Sequence, residues 1–158
     1  MASLPSTQPE LALLVGVQAS GKTSFYRERY LLTHVRVSLD LLRTRARVDR
    51  FLSLCLDTRM SLVSDNTNPN RAEREPLIAR AKAAGFLVTG FYFHSRIQEC
   101  LDRNALRDAD ARIPEAGVRS CASRMEIPSA LEGYDRLSYV RLLSGSGFSI
   151  EEWNDGIR

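Results

Sequence analysis

Apolar residues along this chain form short continuous runs separated by stretches with helical periodicity. The run Leu11–Val17 (LALLVGV) has the character of a buried central strand, and a Gly-rich turn and a helical segment follow it. THVRVSLD alternates, with Val35 and Val37 on one face, and predicts a second strand ending at Asp40. Leu41 to Asp57 keeps a period near 3.6 and predicts one or two helices; MSLVSD predicts a third strand. From Asn70 to Gly85 the pattern is that of a helix capped by Asn70 and ended by Gly85, with a kink or break expected at Pro76. FLVTGFYFH predicts a fourth strand, and Ser95 to Arg107 a helix with Ser95 as N-cap and Glu99 in its first turn. Asp108–Pro114 reads as a polar, mobile stretch and Glu115–Met125 as a short helix. A fifth strand falls within Gly133–Leu142, beyond which a loose tail is expected.

Strands alternating with helices predict an α/β fold: a parallel sheet of about five strands, right-handed crossovers and helices on both faces. No repeat or linker divides the chain, which reads as a flexible tail over residues 1–10 and one domain over 11–158. No apolar run approaches the roughly 18–20 residues of a membrane span, and the polar start MASLPSTQPE lacks the features of a secretory signal. Three cysteines without a CxxC pair and two distant histidines argue against a disulfide framework or a zinc site, and the reducing cytoplasm is the expected compartment.

Net charge is only +3, but 20 of the 22 basic residues are arginines. A GC-rich genome is the plain reading of that bias. Two clusters stand out: Arg43, Arg45, Arg47 and Arg50, then Arg103, Arg107, Arg112, Arg119 and Arg124. Guanidinium forks suit phosphate, although each residue is equally at home on a solvated helix face.

The turn after the first strand, Gly16-Val17-Gln18-Ala19-Ser20-Gly21-Lys22-Thr23, fits GxxxxGK[ST] at every fixed position, with a strand before it and a helix after it. Backbone N–H groups of such a loop, and of the helix it opens, wrap phosphates. Lys22 can reach the β- and γ-phosphates, Thr23 can put a hydroxyl on Mg²⁺, and Ser24 continues the site. These residues predict a P-loop that binds ATP or another nucleoside triphosphate with Mg²⁺.

Asp40 and Arg43 stand where the second strand meets the crevice. There a carboxylate can take a proton from an acceptor hydroxyl, and an arginine one turn on can hold an acceptor phosphate. Capping the following helix is the alternative role for Asp40. Asp65 lies where such folds present a carboxylate to Mg²⁺, and Asn66, Thr67 and Asn68 could hydrogen-bond an acceptor; a plain Asn/Pro turn is the alternative. Arg107 begins a short lid that could close over a transferred phosphoryl group, and Arg103 could face the nucleotide too. Both could instead complement a helix dipole.

The ordered set GVQASGKT, DLLR, SDNTNP, RNALR, Ile113-Pro114 and P-x-x-x-EGYD (Pro128–Asp135) resembles the kinase domain of the 5′-hydroxyl polynucleotide kinases, from about Leu11 to Val140. The resemblance implies that Asp40 is the general base on a 5′-hydroxyl, that Arg43 holds the neighbouring acceptor phosphate, that Asp65 helps bind the terminal nucleoside, and that Arg107 clamps the donor phosphates. Gln18 and Ala19 replace the Pro and second Gly usual in that family's P-loop, and Leu39 replaces the usual Arg before the base. The implied partners are 5′-hydroxyl ends of RNA or DNA, and no membrane. The compact size and DxxR also suit small-molecule kinases of the gluconate, antibiotic or zeta-toxin type. A non-enzymatic ATP switch is a third class, which a hydroxyl base paired with a lid arginine argues against.

Overall fold

The computed structural model of the chain describes residues 8–94, 96–145 and 147–154. One six-stranded sheet runs β2 (Val35–Val37), β3 (Leu62–Ser64), β1 (Glu10–Val15), β4 (Leu87–Phe93), β5 (Arg136–Leu142) and β6 (Phe148–Glu152). The first five strands are parallel. The sixth, where the sequence predicts a loose tail, pairs antiparallel with β5. Phe148 on this strand packs its ring edge-on against Phe25, 5.2 Å between centroids, so the strand completes the core.

β1 is covered on both faces. Leu11, Leu13 and Val15 pack among residues of α3 (Arg45–Asp57) and α4 (Arg71–Ala83), whereas Ala12 and Leu14 pack with Phe25 and Tyr26 of α1 (Lys22–Arg29). A third cluster joins Val17, just past β1, to Cys100 and Leu101 of α5 (Ile97–Ala105) and to Val118 and Cys121 of α6 (Glu115–Ser123). Dry, two-sided packing explains why the strands read as unbroken apolar runs.

Several boundaries differ from the sequence expectation. β1 already includes Glu10, and residues 1–7 of the expected tail lie outside the described residues. β2 stops at Val37, so Asp40 sits inside a one-turn helix, α2 (Leu39–Leu42), not at the strand end. Arg43 takes a left-handed conformation (φ 72°) that ends α2, and the Thr44 side chain accepts from Arg47 N to open α3. That break turns the 41–57 periodicity into two helices. Asn70 does cap α4, accepting from Glu73 N. The helix then runs through Pro76 without a break; the N–H that proline lacks would have served Ala72, and both residues border an open cavity, not packed core. The Ser95 cap lies outside the described residues, and Arg96 precedes α5 with no side-chain cap. A turn of 3₁₀ helix, Ala109–Ala111, occupies the polar stretch after α5.

Candidate active site

The C-terminal ends of β1, β2 and β3 open into one cavity of about 520 Å³. Its floor is the loop between β1 and α1. Gly16 must be glycine: a Cβ there would lie 2.8 Å from Ser20 Oγ and 2.9 Å from Phe93 Cβ. Gly21, at φ 102°, precedes α1 with an open N-terminus. Ala19 adopts φ 61° without being glycine, a local strain on the order of 1 kcal/mol. Gly16, Val17 and Ser20 form the underside of the loop, while Gln18, Ala19, Gly21, Lys22, Thr23 and Ser24 line the cavity. Lys22 is buried, and its ammonium donates to the carbonyls of Gly16 (2.8 Å) and Val17 (2.7 Å).

Asp65, 5% exposed at the end of β3, accepts from Thr23 Oγ1 (3.0 Å) and from Arg36 Nε (2.8 Å). It therefore faces the P-loop hydroxyl, not an acceptor alone. Arg36 on β2 escaped sequence reading, because its partner becomes adjacent only when β2 pairs with β3. Among the described residues no three His, Cys, Asp or Glu side chains gather into a metal cluster. The Thr23 hydroxyl and Asp65 carboxylate are nonetheless hard oxygen donors, the kind that Mg²⁺ takes up together with nucleotide phosphates, so the residues present fit that ion.

Asp40 lines the same cavity, and among the described residues its carboxylate makes no hydrogen bond or ion pair. Helix capping does not occupy it: Asn66 Oδ1 accepts from Leu39 N (2.8 Å), serving the first turn of α2 in its place. Asn66, expected to bind an acceptor, thus positions the element that carries Asp40. Thr67 lines the cavity, and its carbonyl accepts from Gly16 N (3.1 Å), tying this loop to the P-loop. Asn68 takes φ 45°; its amide donates to Leu14 O (2.7 Å), and its carbonyl accepts from the fully buried Arg74.

The two arginines of RNALR divide. Arg107 lines the cavity. Arg103 does not: its Nε donates to Ala19 O (2.6 Å), so it braces the P-loop from behind. Asn104 between them accepts from Ile113 N (3.0 Å) and donates to Ile113 O (2.6 Å), closing the lid stretch into a loop. Arg43 also stands apart. The left-handed turn leaves it exposed and off the cavity wall, and Arg45, at the start of α3, lines the wall where Arg43 was expected. Beyond Asp40 the wall is apolar, built from Leu39, Val48 and Leu52 on one side and Ala72, Pro76 and Leu77 on the other.

The sequence profile of the AAA domain family matches residues 11–128, the stretch holding the P-loop, Asp40, Asp65 and the lid. The chain belongs to that family. A bifunctional polynucleotide phosphatase/kinase of Schizosaccharomyces pombe is 26% identical over 139 residues, covering 85% of this chain and 34% of the relative. The chain thus spans about a third of the length of that protein. Among solved structures, Kti12 of Chaetomium thermophilum in complex with ADP-AlF3 superposes with TM-score 0.67 at 15% identity, covering 83% of this chain and 88% of the other. A gluconokinase of Sinorhizobium meliloti superposes with TM-score 0.58 at 17% identity, covering 84% and 82%. The fold is that of the P-loop kinases. No helix among the described residues is long and apolar enough to cross a membrane.

Burial pushes the Lys22 ammonium down from its ordinary 10.5 to about 8, against the pull of Asp65. Without ligand, the folded chain is destabilised while Lys22 is charged, and that penalty fades as pH rises from about 8 towards 10.5. Anionic phosphate favours the charged form, so nucleotide affinity has the opposite trend. Calorimetric titration with ATP should give a steady Kd below pH 8 and about tenfold weaker binding per pH unit above it. Lys22→Arg, charged throughout, should remove that dependence; a flat wild-type profile would show that Lys22 does not meet phosphate.

Proposed function

We propose that this chain transfers the γ-phosphoryl group of ATP to the 5′-hydroxyl end of RNA or DNA. One observation carries the reading: a single cavity joins the P-loop, an unpaired carboxylate at Asp40 and an apolar slot between α3 and α4. A flat nucleobase suits apolar walls of that kind, with the 5′-hydroxyl directed at Asp40. The polynucleotide phosphatase/kinase relative supports the same acceptor.

In this reading Lys22 and Arg107 hold the donor phosphates and offset the charge that develops on the transferred group. Thr23 and Asp65 would hold Mg²⁺, which when bound neutralises charge on the β- and γ-phosphates; Arg36 keeps Asp65 in place. The Asp40 carboxylate takes the proton of the acceptor hydroxyl. The freed oxygen forms a bond to the γ-phosphorus as the bond from that phosphorus to the β–γ bridging oxygen breaks, and ADP leaves. Asp40 then loses the proton to solvent. Arg45 on the wall meets the phosphate next to the reacting hydroxyl.

The polar rim of the slot, Arg45, Asp49, Glu73 and Arg80, favours a second reading, a small polyhydroxy acid as acceptor. Labelled γ-phosphate transfer separates the two, with 5′-hydroxyl DNA and RNA oligonucleotides in one arm and gluconate and other small hydroxyl compounds in the other. Label on the oligonucleotide ends supports the nucleic-acid reading; label confined to the small compounds replaces it. Arg45→Ala should raise the oligonucleotide KM about tenfold or more, with the KM for ATP nearly unchanged, since a charge-assisted hydrogen bond contributes about 1.5–3 kcal/mol. A shift in the ATP KM alone would move Arg45 to the donor side.

A further inference from the structure

The strand that follows the reacting nucleotide needs somewhere to go. The outer face of α3 carries Arg47, Arg50, Phe51 and Leu54, which the helix repeat brings into one stripe. All four are exposed, on a face turned away from the buried Leu52 and Leu56; Phe51 is 43% exposed and Leu54 57%. Arg43 and Arg45 lead from the stripe to the cavity mouth, where Arg45 is already part of the wall.

These arginines have few partners among the described residues. Arg43, Arg45 and Arg50 make no side-chain hydrogen bond or ion pair, and Arg47 reaches only the Leu42 carbonyl (3.3 Å). The acidic side chain in their midst, Asp49, points to the other side of the helix and pairs with Arg80 (2.6 Å). The face therefore presents concentrated positive charge with one exposed aromatic ring beside it. That combination matches a single strand, whose phosphates meet the cations and whose bases stack on the ring. Other arginines are differently engaged: Arg119 pairs with Glu115 and Arg112 bonds the Arg107 carbonyl, so the second arginine cluster offers less free charge.

We propose that the α2–α3 shoulder is a docking surface for the single-stranded nucleic acid downstream of the phosphorylated end. The strand leaves the cavity past Arg45 and Arg43 and runs along the Arg47–Arg50–Phe51 face. This surface rests on the acceptor reading given above, but its test does not require turnover. A 5′-hydroxyl oligothymidylate with a fluorophore at its 3′ end, as a dinucleotide and as an eight-nucleotide strand, is titrated with the full chain across a series of salt concentrations. The longer strand should bind at least tenfold tighter and with a steeper salt slope. The Arg47→Gln/Arg50→Gln variant should cut that slope by about one to one and a half units, because each phosphate contact on a single strand contributes about 0.7, and Arg47→Lys/Arg50→Lys should restore it. Phe51→Ala should weaken the longer strand about tenfold at an unchanged slope, the size of one lost base stack.

Equal affinity for the two lengths, or a salt slope indifferent to the glutamine changes, overturns the proposal. So does an acidic oligoglutamate peptide that occupies the face in preference to the strand, which would assign it to a protein. If nucleoside 3′-phosphates accept the phosphoryl group while the longer strand gains nothing, the surface falls and the acceptor reading stands. If the strand binds as described while no 5′ end is phosphorylated, the surface stands and the acceptor reading falls.

Discussion

Asp40→Asn should fold, bind ATP with near wild-type affinity and lose about 10² to 10⁴ in turnover, the usual contribution of a positioned general base. The substitution keeps shape and hydrogen-bonding capacity while removing the group that takes the proton. Asp40 is well suited to such a test because its carboxylate has no partner among the described residues and Asn66 already serves the first turn of α2. Single-turnover transfer beside a thermal melt checks it. A loss below tenfold, accompanied by a lower Tm, would make Asp40 a structural residue of α2.

The second large effect concerns stability. Arg74 is fully buried and makes two hydrogen bonds to Glu132, each 2.8 Å, with further bonds to the carbonyls of Asn68 (3.1 Å) and Glu126 (3.0 Å). Arg74→Ala strands a buried carboxylate and should cost about 3–5 kcal/mol, lowering Tm by roughly 6–20 °C. Arg74→Met combined with Glu132→Leu should recover much of the loss, because the second charge goes with the first. Burial alone would raise the Glu132 carboxyl above its ordinary 4.5, but the hydrogen bonds and charge of Arg74 outweigh it and hold it lower. A depressed carboxylate pKa contributes stability that is complete above about pH 4.5 and is lost as pH falls through the folded value. Wild type should therefore lose its advantage over Arg74→Ala in acid melts. Because Arg74 also holds the Asn68 carbonyl, the single variant should disturb the Asn66–Asn68 loop and lower turnover even below its Tm.

Features set by local pattern were readable from the chain. Leu11–Val15 is apolar because both faces of β1 are covered, and Gly16 is glycine because Phe93 and Ser20 leave no room for a Cβ. Features set by pairing between distant segments were not. Arg36 has meaning only beside Asp65, once β2 lies against β3. The apolar slot draws Val48 and Leu52 from one helix and Pro76 and Leu77 from another, and each alone looks like ordinary core. The break at Arg43 was hidden because a non-glycine residue takes the left-handed turn; it moves that residue off the wall and puts Arg45 there. β6 had a readable signal, the alternation of FSIEE after a Gly-rich turn, which the polar surroundings obscured.

In the proposed reaction the acceptor is a nucleotide bearing a phosphate next to its reacting 5′-hydroxyl. The most direct test is the kcat/KM of the wild-type chain, with ATP and Mg²⁺, for a nucleoside 3′-phosphate against the bare nucleoside. A phosphate contact with Arg45 predicts a preference of about tenfold or more for the 3′-phosphate, since a charge-assisted hydrogen bond contributes about 1.5–3 kcal/mol. Equal rates for the two, or no transfer to either while gluconate is phosphorylated, would contradict it.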